Sequence, residues 1–374
     1  MAAGTIVVRS ALGTAPVPYA EAATHTHSGA LQAGAGGASP RQLGALGGEA
    51  TAAAAEKGAV SIEQLSEISM SEIWLDRLVG RGSFAEVYRA EWRGTPVAVK
   101  RLLGNPIADR RQLEDFLVEA GTLQALRHPN IVLFMGVCVR IPHLCIVTEY
   151  VPNGNLFALL QDLVRRPMLS LTLRLRMALD TARGMNYLHL KEPPVLHRDL
   201  KSLNLLVDEV GRIKITDFGL ARAKALAGAN MTAQCGTWQW MAPEVLKSQE
   251  YSEPADVYSY AIVLWELLTR RMPYEGLTAP QVAMEVARGG RPPLPAAGAE
   301  KPARWVQLMT QCWADEPTER PTFKTVLQVL AALQRQLGAQ GGAANLPPNL
   351  PAAQAEKRGG AAAGQAAPPP PAGR

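Results

Sequence analysis

The sequence predicts an α+β fold: a small antiparallel β lobe carrying one helix, then a larger, mainly helical lobe. Three observations support this. Residues 78–102, "LVGRGSFAEVYRAEWRGTPVAVKRL", alternate apolar and polar residues around turn signals, as the strands of hairpins do. Beyond residue 155 the apolar spacing becomes mainly helical, with loops at 193–199 and 217–243. Residues 256–268, "DVYSYAIVLWELL", are apolar nearly all round, which suits a helix at the centre of the second lobe.

Along the chain, residues 1–65 are Ala/Gly/Thr-rich with almost no aromatics, too little apolar mass to offset ordering entropy, so disorder is expected there. The folded block is expected over 72–335. After the first strands, "DRRQLEDFLVEAGTLQALRH" sets Leu113, Phe116, Leu117, Ala120, Leu123 and Leu126 at helical spacing, with Pro129 as the stop. "IVLFMGVCVR" and "HLCIVTEYV" read as two more strands. The Ala/Gly/Pro-rich tail, 338–374, ends in Pro368 to Pro371 and is expected to be disordered; such a run can dock an SH3 or WW groove but is commonly just solvated.

Composition narrows the function classes. The net charge of +5 comes without a Lys/Arg block, which argues against nucleic acid as a partner. No window of eighteen uninterrupted apolar residues exists, so no membrane span is expected. Cys138, Cys145, Cys235 and Cys312 form no C-x-x-C pair and read as unpaired thiols of a reducing compartment, which points to the cytoplasm. The acid-poor start fits an organelle transit peptide, but Arg9 is its only basic residue before Glu21 and argues against one.

"GRGSFAEV" (80–87) is a glycine loop with Ala85 where a third glycine is often found. A dinucleotide fingerprint would need a helix after the loop and an acid about twenty residues on. Here strand-type residues follow, and "GNP" stands at the acid's place. A P-loop would need G-K-[ST] after the second glycine, and none is present. What remains is a glycine hairpin whose backbone can approach phosphates closely at Gly80 and Gly82.

Four motifs then coincide in order: "VAVK" ending at Lys100, "HRDLKSLN" at 197–204, "DFG" at 217–219 and "APE" at 242–244. Over about residues 72–335 the chain resembles a eukaryotic protein kinase. The resemblance implies the bilobal kinase fold, ATP, and Mg²⁺ or Mn²⁺ in its place. It implies that Lys100 holds the α/β-phosphates and pairs with Glu119 on the helix, with Glu114 as the rival carboxylate. Asp199 becomes the catalytic base or hydroxyl orienter, Lys201 its companion, and Asn204 and Asp217 the metal ligands. His197 is read as structural, and Phe218 as the residue whose packing sets the state of the loop. The loop Val79, Gly80, Arg81, Gly82, Ser83, Phe84, Ala85 and Val87 would cover the nucleotide. Ala98 and Leu206 would flank its base, and the backbone of Glu149 to Val151, just after Thr148, would meet the adenine edge.

Lys201 and Thr237 in "CGTWQWMAPE" are typical of Ser/Thr kinases within that resemblance. "LRHPNIVLFMGVC", "VTEYVPNGNL", "WMAPEVL" and "RPPLP" resemble the tyrosine-kinase-like group, above all Raf-like kinases of the plant lineage, many of them MAP-kinase-kinase kinases. The implied partner is a protein substrate such as a MAP-kinase kinase. Arg198 would pair with a phosphorylated activation loop, for which Thr232 is the candidate. Glu244 and Arg320 would form a buried pair, and Asp256 would cap the catalytic loop. The alternative is a pseudokinase scaffold, which usually lacks Lys100, Asp199 or Asp217; all three are present.

Overall fold

The computed structural model describes residues 64–82, 85–103, 110–140, 144–218, 238–249, 251–295 and 302–340. The alternating first block becomes a five-stranded antiparallel sheet of β1 (Ile73–Arg81), β2 (Ala85–Trp92), β3 (Thr95–Leu102), β4 (Phe134–Cys138) and β5 (Cys145–Glu149), in the order β1-β2-β3-β5-β4. β2 and β3 pair without a break from Ala85↔Leu102 to Trp92↔Thr95. Arg93 and Gly94 turn that hairpin, both left-handed (φ 50° and 80°), the two-residue geometry whose twist matches flanking strands.

The sheet separates two environments. Val97 and Val99 face outward into a small core with Ile68, Ile73, Ala90, Cys138, Cys145 and Val147. Because side chains alternate along a strand, Ala98 and Lys100, with Val87 opposite Lys100, face the other way, toward the second lobe.

The outer core is covered by a strap that precedes β1. Ile68 donates to the Val137 carbonyl (2.7 Å) and Val137 donates to the Ser66 carbonyl (2.9 Å), so the strap runs along the β4 edge. Gln124 fastens the strap to the helix, its Oε1 accepting from the Ser66 amide and its Nε2 donating to the Gln64 carbonyl, both at 2.8 Å. Gly136 lies beneath, where a Cβ would come within 2.6 Å of the Ile68 side chain. Among the described residues the packed chain thus includes Gln64 to Ile68, ahead of the boundary at 72 that the motifs suggest, and Leu65 is buried.

The one α-helix of this lobe among the described residues, α1 (Arg110–Ala125), buries Phe116, Ala120 and Leu123. It stops at Ala125, not at Pro129. Leu126 turns down into the main core, and a 3.1 Å bond from its amide to the Leu123 carbonyl closes the end. The run from 131 to 140 is likewise not one strand. The Val132 amide pairs with the Ile215 carbonyl (2.9 Å) of the second lobe, and β4 begins only at Phe134.

The second lobe holds α2 (Leu156–Gln161), α3 (Leu171–His189), the hairpin β6 (Leu205–Val207) and β7 (Ile213–Ile215), then α4 (Pro243–Leu246), α5 (Glu253–Thr269), α6 (Ala279–Ala287), α7 (Ala303–Cys312) and α8 (Phe323–Gln340). Asn155 and Ser170 cap α2 and α3 by accepting from the amides of Ala158 (2.8 Å) and Leu173 (3.2 Å). α5 is buried from Ala255 to Leu268, as its all-round apolar pattern requires. Its carbonyl end is satisfied by the fully buried Arg174, which donates to the carbonyls of Leu267 (3.0 Å) and Leu268 (3.2 Å). Among the described residues no helix is long and apolar enough to cross a membrane.

The N-terminal segment before Gln64, the proline tail, Cys235, Thr232 and Thr237 lie outside the described residues.

Candidate functional site

The cleft between the lobes gathers the motif residues. Lys100 projects from β3 and its Nζ lies 2.7 Å from Glu119 Oε1 on α1 and 2.7 Å from Asp217 Oδ1. Glu114 is exposed and is not the partner. Burial alone would depress the lysine, but the Asp217 and Glu119 carboxylates outweigh it and raise its pKa. Burial likewise raises Glu119 against the pull of Lys100. Burial also acts to raise Asp217, but Lys100 overrides it and holds that carboxylate below its ordinary value. Two of the three ammonium protons are engaged here.

The 197–204 loop is held from beneath. Asp256, in the first turn of α5, accepts from the His197 amide (2.9 Å) and the Arg198 amide (3.0 Å), and from Tyr251 Oη (2.7 Å). These bonds hold Arg198 in the left-handed region (φ 64°), a conformation that costs on the order of 1–3 kcal/mol for a non-glycine residue. The Arg198 guanidinium lies over the Tyr251 ring. His197 is fully buried, and burial lowers its pKa. Its Nδ1 sits 3.3 Å from the Asp199 amide and its Nε2 3.1 Å from the Thr216 carbonyl. Those partners assign the neutral ring with its proton on Nε2, a brace between the two loops with no lone pair free for base chemistry. Phe218 is buried against that ring, 5.1 Å between centroids.

Asp199 is gripped on one side. Lys201 Nζ contacts Oδ1 at 3.0 Å and Oδ2 at 2.8 Å. Asn204 Nδ2 donates to the Asp199 carbonyl (2.8 Å) and to Oδ2 (3.2 Å). This network points the amide nitrogen of Asn204 at Asp199 and turns its oxygen the other way. The Asn204 oxygen and the ionised Asp217 are hard donors of the kind Mg²⁺ takes alongside phosphate oxygens. Asp217, like Arg198, is left-handed (φ 62°).

Val79, Val87, Ala98 and Leu206 pack into neither hydrophobic core. Val79 is 44% exposed and the other three are half-buried, as apolar walls of an open cleft would be. Val151 is buried, and among the described residues its amide has no hydrogen-bond partner. Glu149 departs from the simple picture. Its amide donates to the Leu133 carbonyl (2.9 Å), and its Oε1 accepts from the Leu133 amide (2.8 Å) and Lys214 Nζ (2.7 Å). The amide is committed to Leu133, just before β4, and the carboxylate to Leu133 and to Lys214 of β7, which leaves the carbonyl, touched by Thr148 Oγ1 at 3.3 Å, as the group that can serve a ligand.

At the glycine loop, β1 and β2 close with the Gly82 amide donating to the Ala85 carbonyl at 2.8 Å. Arg81 turns its guanidinium to Glu86 (2.7 Å), so its backbone, not its side chain, lines the loop. Ala85 opens β2 opposite Leu102. Ser83 and Phe84 lie outside the described residues.

One buried tie escaped sequence reasoning. Glu266, fully buried in α5, joins Ser202 of the 197–204 loop (2.7 Å) to Trp240 Nε1 (2.8 Å). It is the one acid inside "AIVLWELL", and that break in an apolar run was the available signal. Arg320 grips Glu244 with both terminal nitrogens (2.5 and 2.9 Å), which fulfils the expected pair.

Residues 73–330 match the family model described as protein tyrosine and serine/threonine kinase. The protein named "Probable serine/threonine-protein kinase drkD" of Dictyostelium discoideum is 46% identical over 267 residues, 71% of this chain and 20% of that protein. Serine/threonine-protein kinase CTR1 of Arabidopsis thaliana is 41% identical over 276 residues, 71% of this chain and 32% of that protein. STY17 of the same plant, also named a serine/threonine-protein kinase, is 40% identical over 273 residues, 73% of this chain and 46% of that protein. The chain thus spans less than half the length of these relatives.

Proposed function

The chain belongs to the protein tyrosine and serine/threonine kinase family, and from that premise we propose that it transfers the γ-phosphoryl group of ATP to serine or threonine hydroxyls of protein substrates. The observation that carries this reading is the meeting of Lys100, Glu119 and Asp217 in the same cleft as Asp199, Lys201 and Asn204. Phosphoryl transfer is mostly positioning and charge stabilisation, and this set supplies both.

In this reading the adenine lies between Val79, Val87 and Ala98 above and Leu206 below, its edge meeting the Val151 amide and the Glu149 carbonyl. Lys100, fixed by Glu119, turns its remaining proton to the α/β-phosphates, beneath the backbone of Gly80 and Gly82. Asn204 and Asp217 would hold Mg²⁺, or Mn²⁺ in its place; when bound, the cation neutralises charge on the phosphate oxygens. Asp199 orients the acceptor hydroxyl and takes its proton, while Lys201 offsets the charge building beside it. Lys201 favours Ser/Thr over tyrosine acceptors, as the names of the relatives do. Within the Raf-like resemblance, MAP-kinase kinases are the substrates we propose. Thr232 as a phosphosite pairing with Arg198, and an SH3 or WW partner for the proline tail, are further parts of the proposal. The unpaired thiols fit a cytoplasmic setting.

The test is transfer from Mg-ATP to a generic Ser/Thr acceptor, with Asp199→Asn beside the wild type. The variant should bind ATP and lose about 10²–10⁴-fold in turnover. A wild-type protein that binds ATP without transferring phosphate would reject the reading in favour of a scaffold.

A further inference from the structure

We propose that Cys138 and Cys145 form a two-thiol redox site, which a peroxide-class oxidant closes into a cross-strand disulfide. The two residues are direct partners in the antiparallel β4–β5 ladder. Opposed residues on such strands sit about 4.5 or 5.5 Å apart at Cα, according to the type of pair. Either spacing falls within the range of about 4.4–6.8 Å that a disulfide spans. Both side chains share one face of the sheet and enter the same outer core with Ile68 and Val147.

Both thiols are free and buried, so the core itself does not distinguish a redox site from two small apolar fillers. Position does. Cys138 ends β4, Cys145 begins β5, and their pair is the last rung of the ladder. Terminal rungs open before interior ones, so fraying of β4 at Cys138, with Cys145 still paired to Arg101 of β3, is the route by which an oxidant as small as hydrogen peroxide enters. The neighbouring Cys145 thiol lowers the pKa of Cys138, while the Cys138 thiol and burial raise that of Cys145.

The chemistry closes without an outside group beyond the oxidant. The Cys138 thiolate attacks one peroxide oxygen, the O–O bond breaks, hydroxide leaves, and a sulfenic acid forms. The Cys145 sulfur then attacks that sulfur, displacing hydroxide. The two thiol protons and two hydroxides become two waters, and the two electrons end on the peroxide. The bridge would join the strand that carries the strap to the strand that runs into Glu149 and Val151.

The experiment treats the folded full chain with hydrogen peroxide near neutral pH, then maps peptides without reduction. Expected is a loss of about 2 Da confined to a Cys138–Cys145 cross-link, reversed by a dithiol. Cys138→Ser and Cys145→Ser should each abolish the cross-link. Should either variant unfold, the wild-type map alone decides. Folded protein whose two thiols remain reduced, a single thiol carried to sulfinic acid, or a bridge to Cys235 or Cys312 would each overturn the proposal.

Discussion

Glu266 should make the stability of this fold fall as pH rises through neutrality. Its carboxyl is fully buried between Ser202 and Trp240, and burial pushes its pKa up to about 8, against the smaller lowering effect of those two hydrogen bonds. The folded chain therefore keeps this proton to about pH 8, while an unfolded chain releases it near 4.5. The stabilisation is complete below pH 4.5, declines as pH rises, and is lost above about 8. At about 1.4 kcal/mol per pH unit, that interval sets a ceiling of roughly 5 kcal/mol. Glu266→Gln copies the protonated form, with its oxygen accepting from Trp240 and its amide donating to Ser202. Urea unfolding of both proteins across pH isolates the effect, because other titrations cancel in the difference. Between pH 6 and pH 8 the wild type should lose about 2 kcal/mol relative to the glutamine variant. Parallel profiles would refute the argument, since they would mean the carboxylate is ionised throughout.

Ala85→Gly should change ATP KM or turnover only a few-fold, about 1 kcal/mol or less, because Ala85 is the first rung of β2 and not the loop apex; steady-state kinetics with a hundredfold gain would reveal a real brake. Arg320→Met should cost about 3–5 kcal/mol in urea melts by leaving the Glu244 carboxylate buried without its partner. Gly136→Ala should cost about 1–3 kcal/mol, because its Cβ would fall 2.6 Å from Ile68 and 2.7 Å from the Ser66 carbonyl. Hydrogen exchange should then speed up in residues 66–68 before the rest of the sheet.

The chemistry of the cleft was readable because its residues lie in short local motifs: Lys100 in "VAVK", and Asp199, Lys201 and Asn204 within six positions of one another. Asp256 and the Glu244–Arg320 pair were expected from the kinase resemblance, not from any local pattern of their own. The strap was not readable. Ser66 to Ile68 have no periodicity of their own, and their strand-like pairing is imposed by Val137, far along the chain. The role of Glu149 was half legible. Its place before Val151 marks the connector, but its carboxylate is committed to Lys214, 65 residues away. Leu126 misled for a related reason: its apolar side chain kept helical spacing, yet it is buried from beyond the end of the helix.

β4 is the outermost strand of its sheet, and an uncovered outer strand offers its backbone to any other chain. Here the strap takes up the Val137 amide and carbonyl, and Ile68 fills the groove that Gly136 leaves open. A polypeptide begun at Ile73, where the family match starts, would keep Lys100, Glu119, Asp199, Asn204 and Asp217 and still bare that edge. Its failing would be one of solubility, with sheets of separate molecules pairing where the strap had lain.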